Sequence, residues 1–305
     1  MMRKILFPLG AAFLLVSAAV LPAAAAPKPA PHQSAAAHPA LWKVADADTT
    51  IYLFGTVHIL KPGTRWFEGP VRTAFAASDE LVLEMVEPAA AQANQLVMSK
   101  AVDLDGPALT AKLSPADVEP YRAALRSFGL EAANLEPLEP LEPWFVSTLL
   151  SLLPLQKLGY DAEQGVEKGL SREAKASGKP ISGLETMEEQ LGFFDSLPEP
   201  AQIKLLTQSV QDLPKAEKFA QDMTRYWLSG QPDELAKLMN QSMDATPELT
   251  KVLLADRNRR WADWIAKRLD KPGTVFMAVG AAHLAGTDSV QAQLRRHKLK
   301  AARLN

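Results

Sequence analysis

Apolar positions recur in two patterns along this chain, and their alternation outlines a fold. Short, continuously apolar runs rich in β-formers occur at Thr50–Phe54, Leu81–Met85, Ile181–Leu184 and Thr274–Val279. Runs this short predict strands buried on both faces, as in a parallel sheet. Between them, apolar residues return every three or four positions. Val71, Ala74 and Phe75 follow Gly69-Pro70, Val118, Tyr121, Leu125 and Phe128 follow Ser114-Pro115, and Val166, Leu170 and Ala174 precede Gly178 and Pro180. Each set is the buried stripe of a helix opened or closed by its proline or glycine. The first two strands flank one short helix, which predicts a βαβ unit with parallel strands.

Other local signals complete the outline. Asp161 with Gln164 predicts a helix N-cap and capping box, and Thr287 or Asp288 predicts the cap of a last helix. Residues 299–304 predict a closing strand. The triplet Leu-Glu-Pro, repeated through 135–143, predicts an extended connection, because proline disfavours helix in the residue before it. Trp144 to Leu155 is unusually apolar, which suits a buried helix, a cleft lining or the contact of a homo-oligomer. The expected fold class is α/β, with a mainly parallel sheet core from both chain ends and a large helical insertion at about 90–240.

The chain begins Met1-Met2-Arg3-Lys4, is apolar from Ile5 to Leu21 and continues with Ala23 to Ala26. A basic start, an apolar stretch and small residues predict a signal peptide over 1–26 and a secreted or periplasmic product with no membrane span after cleavage. Residues 27–40, rich in proline and alanine, read as a linker, so His32 and His38 within it are discounted as ligands. The domain proper then covers 41–305. The absence of cysteine removes thiol nucleophiles, thiolate ligands and disulfides from consideration. A net charge of −2 without a basic stripe argues against a nucleic-acid partner.

Candidate chemistry lies where the strands end. The first runs into Gly55-Thr56-Val57-His58, the second ends at Glu84, the third at Glu185, and the fourth runs into Gly280-Ala281-Ala282-His283. The carboxyl ends of parallel strands share one sheet edge, where ligands bind. Gly55 and Gly280 are expected to let the backbone turn sharply out of the sheet, so that each histidine points back over the edge. One Gly-x-x-His is a weak signal; two, each after a buried strand, are more specific. On the helix expected at 251–269, Arg257 and Asn258 share the apolar face with Leu254, Trp261, Trp264 and Ile265. A buried arginine there needs a partner such as Glu84, Glu185 or a substrate oxygen. Arg259 and Arg260 point elsewhere, to solvent.

Leu53-Phe54-Gly55-Thr56-Val57-His58, Asp79 to Glu84, Gly183-Leu184-Glu185-Thr186, Asp256-Arg257-Asn258 and Ala278 to Gly286 resemble, in order and spacing, the motifs of the TraB/GumN family, across about 41–304. That family is grouped with the Tiki proteases, the erythromycin esterases and ChaN-like haem-binding lipoproteins. The resemblance implies an α/β fold with paired Gly-x-x-His motifs and a shared acidic residue, and, for the Tiki branch, metal-dependent peptide hydrolysis.

Three readings follow. In the first, a peptide or other acyl substrate is hydrolysed with a divalent metal (Zn, Mn or Co) on His58, His283 and Glu84, with Glu84 as ligand or general base and Arg257, aided by Asn258, on the developing oxyanion. In the second, an esterase-like site works without metal, with His58 as base and Glu84 orienting it. In the third, the chain is a non-catalytic haem- or ligand-binding envelope protein. No Gly-x-Ser-x-Gly elbow and no His-Glu-x-x-His is present, which argues against a serine hydrolase and an ordinary zincin.

Overall fold

The computed structural model describes residues 37–130, 136–243 and 247–305. The signal peptide expected over 1–26 and most of the linker lie outside the described residues. Among the described residues six strands form one mixed sheet: β1 (Leu41–Ala45), β2 (Thr49–Thr56), β3 (Glu80–Met85), β4 (Ile181–Glu185), β5 (Gly273–Gly280) and β6 (Ala302–Arg303), in the order β4-β3-β5-β2-β1-β6. β4, β3, β5 and β2 run parallel, while β1 and β6 are added antiparallel at one side. The α/β class with a mostly parallel core is thus as expected. The first βαβ unit has its two strands parallel, but they are not neighbours, because β5 from the far end of the chain lies between them.

Both faces of the sheet are covered, which is why its central strands are apolar throughout. Along β5, Phe276 and Ala278 face one core with Phe54, Trp66, Phe75 and Trp227. Val275, Met277 and Val279 face the other, with Trp261 and Ile265. Fully burying one such side chain contributes about 1.5–3 kcal/mol.

The helices are α1 (Gly69–Ala76), α2 (Ala90–Ala101), α3 (Leu109–Lys112), α4 (Pro115–Ser127), α5 (Pro143–Lys157), α6 (Val166–Ala176), α7 (Met187–Asp195), α8 (Glu199–Asp212), α9 (Ala216–Leu228), α10 (Pro232–Met243), α11 (Pro247–Thr250), α12 (Asp256–Arg268) and α13 (Val290–Leu294). The apolar segment 144–155 is the body of α5, packed on α8. Its Trp144, Val146, Leu150 and Leu155 are buried within the chain, as suits the buried-helix reading of the segment. Among the described residues no helix is long and apolar enough to cross a membrane.

Three local expectations are corrected. From 136 on, where it is described, the Leu-Glu-Pro segment is not extended: Glu136–Leu138 form a 3-10 turn and Pro143 opens α5, where a first-turn proline loses no hydrogen bond. Asp161 caps only a 3-10 turn, Ala162–Gln164, with no glutamine capping box; α6 starts afresh at Val166. The capping box is at Thr186 and Glu189, opening α7 directly after β4. The last helix is capped by Ser289, whose hydroxyl accepts from Ala292 N–H.

Candidate functional site

Strand order arranges the site. Across the carboxyl edge, β4 brings Glu185, β3 brings Glu84, and the segments after β5 and β2 bring His283 and His58. Thr56 pairs with Gly280, so the two Gly-x-x-His segments leave adjacent parallel strands staggered by one residue. Neither Gly55 nor Gly280 has a positive φ, and the sharp turn expected of them is absent. Their need for glycine is close approach. A Cβ on Gly55 would stand 3.1 Å from Cα and Cβ of Ala281. One on Gly280 would stand 3.0 Å from Glu84 Oε1 and 3.9 Å from His58 Nε2.

Arg257 lies at the centre and is 0% exposed. Nε donates to both oxygens of Glu185 at 3.0 Å. Nη2 donates to Glu84 Oε2 at 2.6 Å and Glu185 Oε2 at 2.7 Å. Nη1 donates to the Leu253 carbonyl at 3.2 Å and to His283 Nε2 at 3.1 Å. A guanidinium has five N–H bonds, and all of them are engaged. Trp261 and Phe193 flank it, 4.7 and 5.3 Å from the guanidinium carbon to their ring centroids. The expected partners Glu84 and Glu185 are therefore correct, but no N–H remains for a substrate oxygen. The chain before Arg257 is not one regular helix: Lys251–Ala255 wind as a π-helix, and this turn supplies the Leu253 carbonyl.

His283 is buried against this centre, its ring 4.4 Å from that of Trp261. Asn258 Nδ2 donates to the Asp288 carbonyl at 2.7 Å, which turns Asn258 Oδ1 toward His283 Nδ1 at 2.6 Å. The oxygen can only accept, so Nδ1 carries the hydrogen and Nε2 offers its lone pair to Arg257. Burial first, then the Arg257 charge, lowers the His283 pKa to about 3, and the ring is neutral at pH 7. Burial would raise the Glu84 pKa, but Arg257, with the neighbouring histidines and the Gly280 N–H (2.6 Å), lowers it to about 2. Because His283 is neutral, the Arg257 charge is the main physical cause. Asn258, itself buried, is thus anchored at both ends of its amide, by Asp288 and by His283.

His58 stands apart from this cluster. Its Nδ1 lies 2.7 Å from Glu167 Oε1, in the first turn of α6. Glu167 also accepts from the Thr56 hydroxyl. The carboxylate bonded to His58 is thus Glu167, not the expected Glu84. Burial alone would lower the His58 pKa; the charge and hydrogen bond of Glu167, helped by Glu84, outweigh it and raise the value above 6.5. His58, Glu84, Glu167 and Gln190 line a cavity of about 190 Å³ together with Leu83, Ile181, Lys168 and Lys175.

The structure thus joins Glu84, Glu185, Arg257, Asn258 and His283 in one bonded cluster and sets His58 beside it, in a cavity that both it and Glu84 line. It adds two that sequence reasoning missed. Gln190 Nε2 lies 3.2 Å from both Glu84 Oε2 and Glu185 Oε2. Glu167 had one faint signal, Gly165 just before it, where a Cβ would stand 2.4 Å from the His58 carbonyl oxygen. Arg260, expected in solvent, is half exposed but reaches Glu185 Oε1 at 3.2 Å. Among the described residues no group of three or more His, Asp or Glu is arranged to hold a metal ion.

A family model described as the TraB/PrgY/gumN family matches residues 40–303. The "Uncharacterized protein YbaP" of Escherichia coli (strain K12) is 29% identical over 192 residues, covering 62% of this chain and 68% of that protein. The protein of the same name from Shigella flexneri matches to the same extent. No solved structure matches this chain.

Proposed function

The chain belongs to the TraB/PrgY/gumN family, and from that premise we propose that it is a secreted or periplasmic hydrolase of a peptide or related acyl bond, with His58 as the general base. The observation that carries this reading is one imidazole and one carboxylate, His58 and Glu84, lining one cavity at the carboxyl edge of the parallel strands. The missing Cβ of Gly280 leaves room between them. His58 Nε2 takes a proton as water oxygen adds to the substrate carbonyl carbon, and returns it to the leaving nitrogen or oxygen as that bond breaks. Glu84, held ionised by Arg257, stabilises the transient imidazolium.

A metal-assisted form of the same hydrolysis is the second reading, favoured by a specific observation. Both histidines set Nδ1 against an oxygen, Glu167 or Asn258, the orientation that directs Nε2 toward a metal. His58 and Glu84 would hold Zn, Mn or Co; His283 would join them only if Arg257 left its Nε2. Such an ion supplies water acidity and carbonyl polarisation.

The test is hydrolysis of a peptide and ester panel by untagged mature protein, before and after exhaustive chelation, with its metal content measured in parallel. Turnover that survives chelation supports His58 acting without metal. Turnover lost to chelation and restored by Zn, Mn or Co supports the second reading. No turnover under either condition contradicts the hydrolase.

A further inference from the structure

The two Gly-x-x-His motifs look equivalent in sequence, yet their histidines have different surroundings. His283 is locked: Asn258 holds one nitrogen and Arg257 the other. His58 has a partner on Nδ1 alone, and among the described residues its Nε2 has no hydrogen-bond partner. We infer that Glu167 is the positioning residue for His58, so that helix α6, and not the sheet edge alone, sets which nitrogen of the imidazole meets substrate. The inference rests on the reading of His58 as the reacting base and adds to it a residue from outside the recognised motifs.

Three features of the chain converge on this role. First, α6 is tied to the backbone that carries His58, since Val166 N–H donates to the Val57 carbonyl at 3.0 Å. Gly165 permits this approach, because a Cβ there would stand 2.4 Å from the His58 carbonyl oxygen and 2.9 Å from that of Ala162. Second, Glu167 follows in the first turn of α6, where the helix dipole favours a negative charge. Third, Thr56, on the last position of β2, donates its hydroxyl to the same carboxylate oxygen that meets His58. The carboxylate is therefore held by sheet and helix together. An ionised carboxylate accepts only, so it fixes the hydrogen on Nδ1 and leaves the Nε2 lone pair toward Glu84 and Gly280. Glu167 stays ionised through the reaction and takes no proton.

The experiment reads the tautomer directly and needs no substrate. The full mature protein, carrying ¹⁵N-labelled histidine, is compared with Glu167→Ala and Glu167→Gln by two-bond ¹H–¹⁵N correlation at a pH where the rings are neutral, with His58→Gln used to assign the signal. The parent is expected to show the Nδ1–H form at His58. Glu167→Ala should lose that preference, and Glu167→Gln, whose amide oxygen still accepts, should retain it. Signals of His283 serve as the control for folding and should not move. With a substrate in hand, Glu167→Ala should lower kcat about 10- to 100-fold at little-changed KM, with partial recovery in Glu167→Gln. An unchanged Nδ1–H tautomer in folded Glu167→Ala overturns the inference. A tautomer that switches in a protein hydrolysing no member of the panel supports the positioning role while sinking the hydrolase reading, so the two failures are told apart.

Discussion

Arg257 shows how much chemistry one side chain settles here. Its charge is buried with Glu84 and Glu185, and removing it leaves two carboxylates without their main counter-charge. Breaking such a pair costs about 3–5 kcal/mol, so Arg257→Met should lower urea-unfolding stability by that amount; a loss below about 1 kcal/mol would show that the carboxylates find other partners. The same centre sets an acid limit. His283 has a folded pKa of about 3, below its unfolded value, so its contribution is complete above about 6.5 and is lost as pH falls below that. Glu84, lowered to about 2, loses its contribution below about 4.5. His58 has the opposite sign, since its raised pKa favours folding below 6.5 and that contribution fades as pH rises through the folded value. Melting temperature should therefore fall steadily from pH 6.5 toward 4, and His283→Gln should flatten that slope. A parallel slope in the variant would place the acid sensitivity elsewhere. Hydrolysis by a basic His58 should rise with pH through a value above 6.5. At this scale the sequence was informative about which residues meet, because each lies at or just past the end of a buried strand or on a helix's apolar face. It was silent on how their bonds are shared. Five donors spent on Arg257, and an asparagine fixed by the Asp288 carbonyl, depend on distant backbone that no local pattern encodes.

The two motif glycines make a paired prediction for the elements that carry them. In Gly55→Ala the new methyl meets backbone and Cβ of Ala281 at 3.1 Å, which pushes β2 from the 3-10 turn after β5. In Gly280→Ala it meets the anchored Glu84 carboxylate at 3.0 Å and fills the space beside His58. Overpacking of this kind costs about 1–3 kcal/mol, and thermal melts should show a loss of that order in both. Below the melting range, Gly280→Ala should also lose turnover, whereas Gly55→Ala should keep most of it. Equal turnover in Gly280→Ala and the parent would count against a site between His58 and Glu84. The four parallel strands were legible because strands covered on both faces read as unbroken apolar runs. β1 was not: Leu41-Trp42-Lys43-Val44-Ala45 follows a proline-rich stretch, carries a lysine and pairs antiparallel beside β2. Glu167 was hidden for a related reason. An acid in a helix's first turn is ordinary, and its meaning appears only when that turn docks on the His58 segment.

For the whole molecule, residues from opposite ends of the chain become neighbours because β5 inserts between β2 and β3. The recurring strand–helix alternation announced an α/β sheet, but strand order is a long-range property that periodicity does not carry. Secretion is a proposal of the same scale: protein recovered from the periplasm should begin at Pro27 by N-terminal sequencing, and an intact Met1 there would contradict cleavage after the alanine run. The most direct measurement of the central claim is kcat/KM for a hydrolysed peptide or ester with the parent protein and folded His58→Gln. Loss of a general base should lower it about 10²- to 10⁴-fold. Equal values in the two proteins would contradict the account.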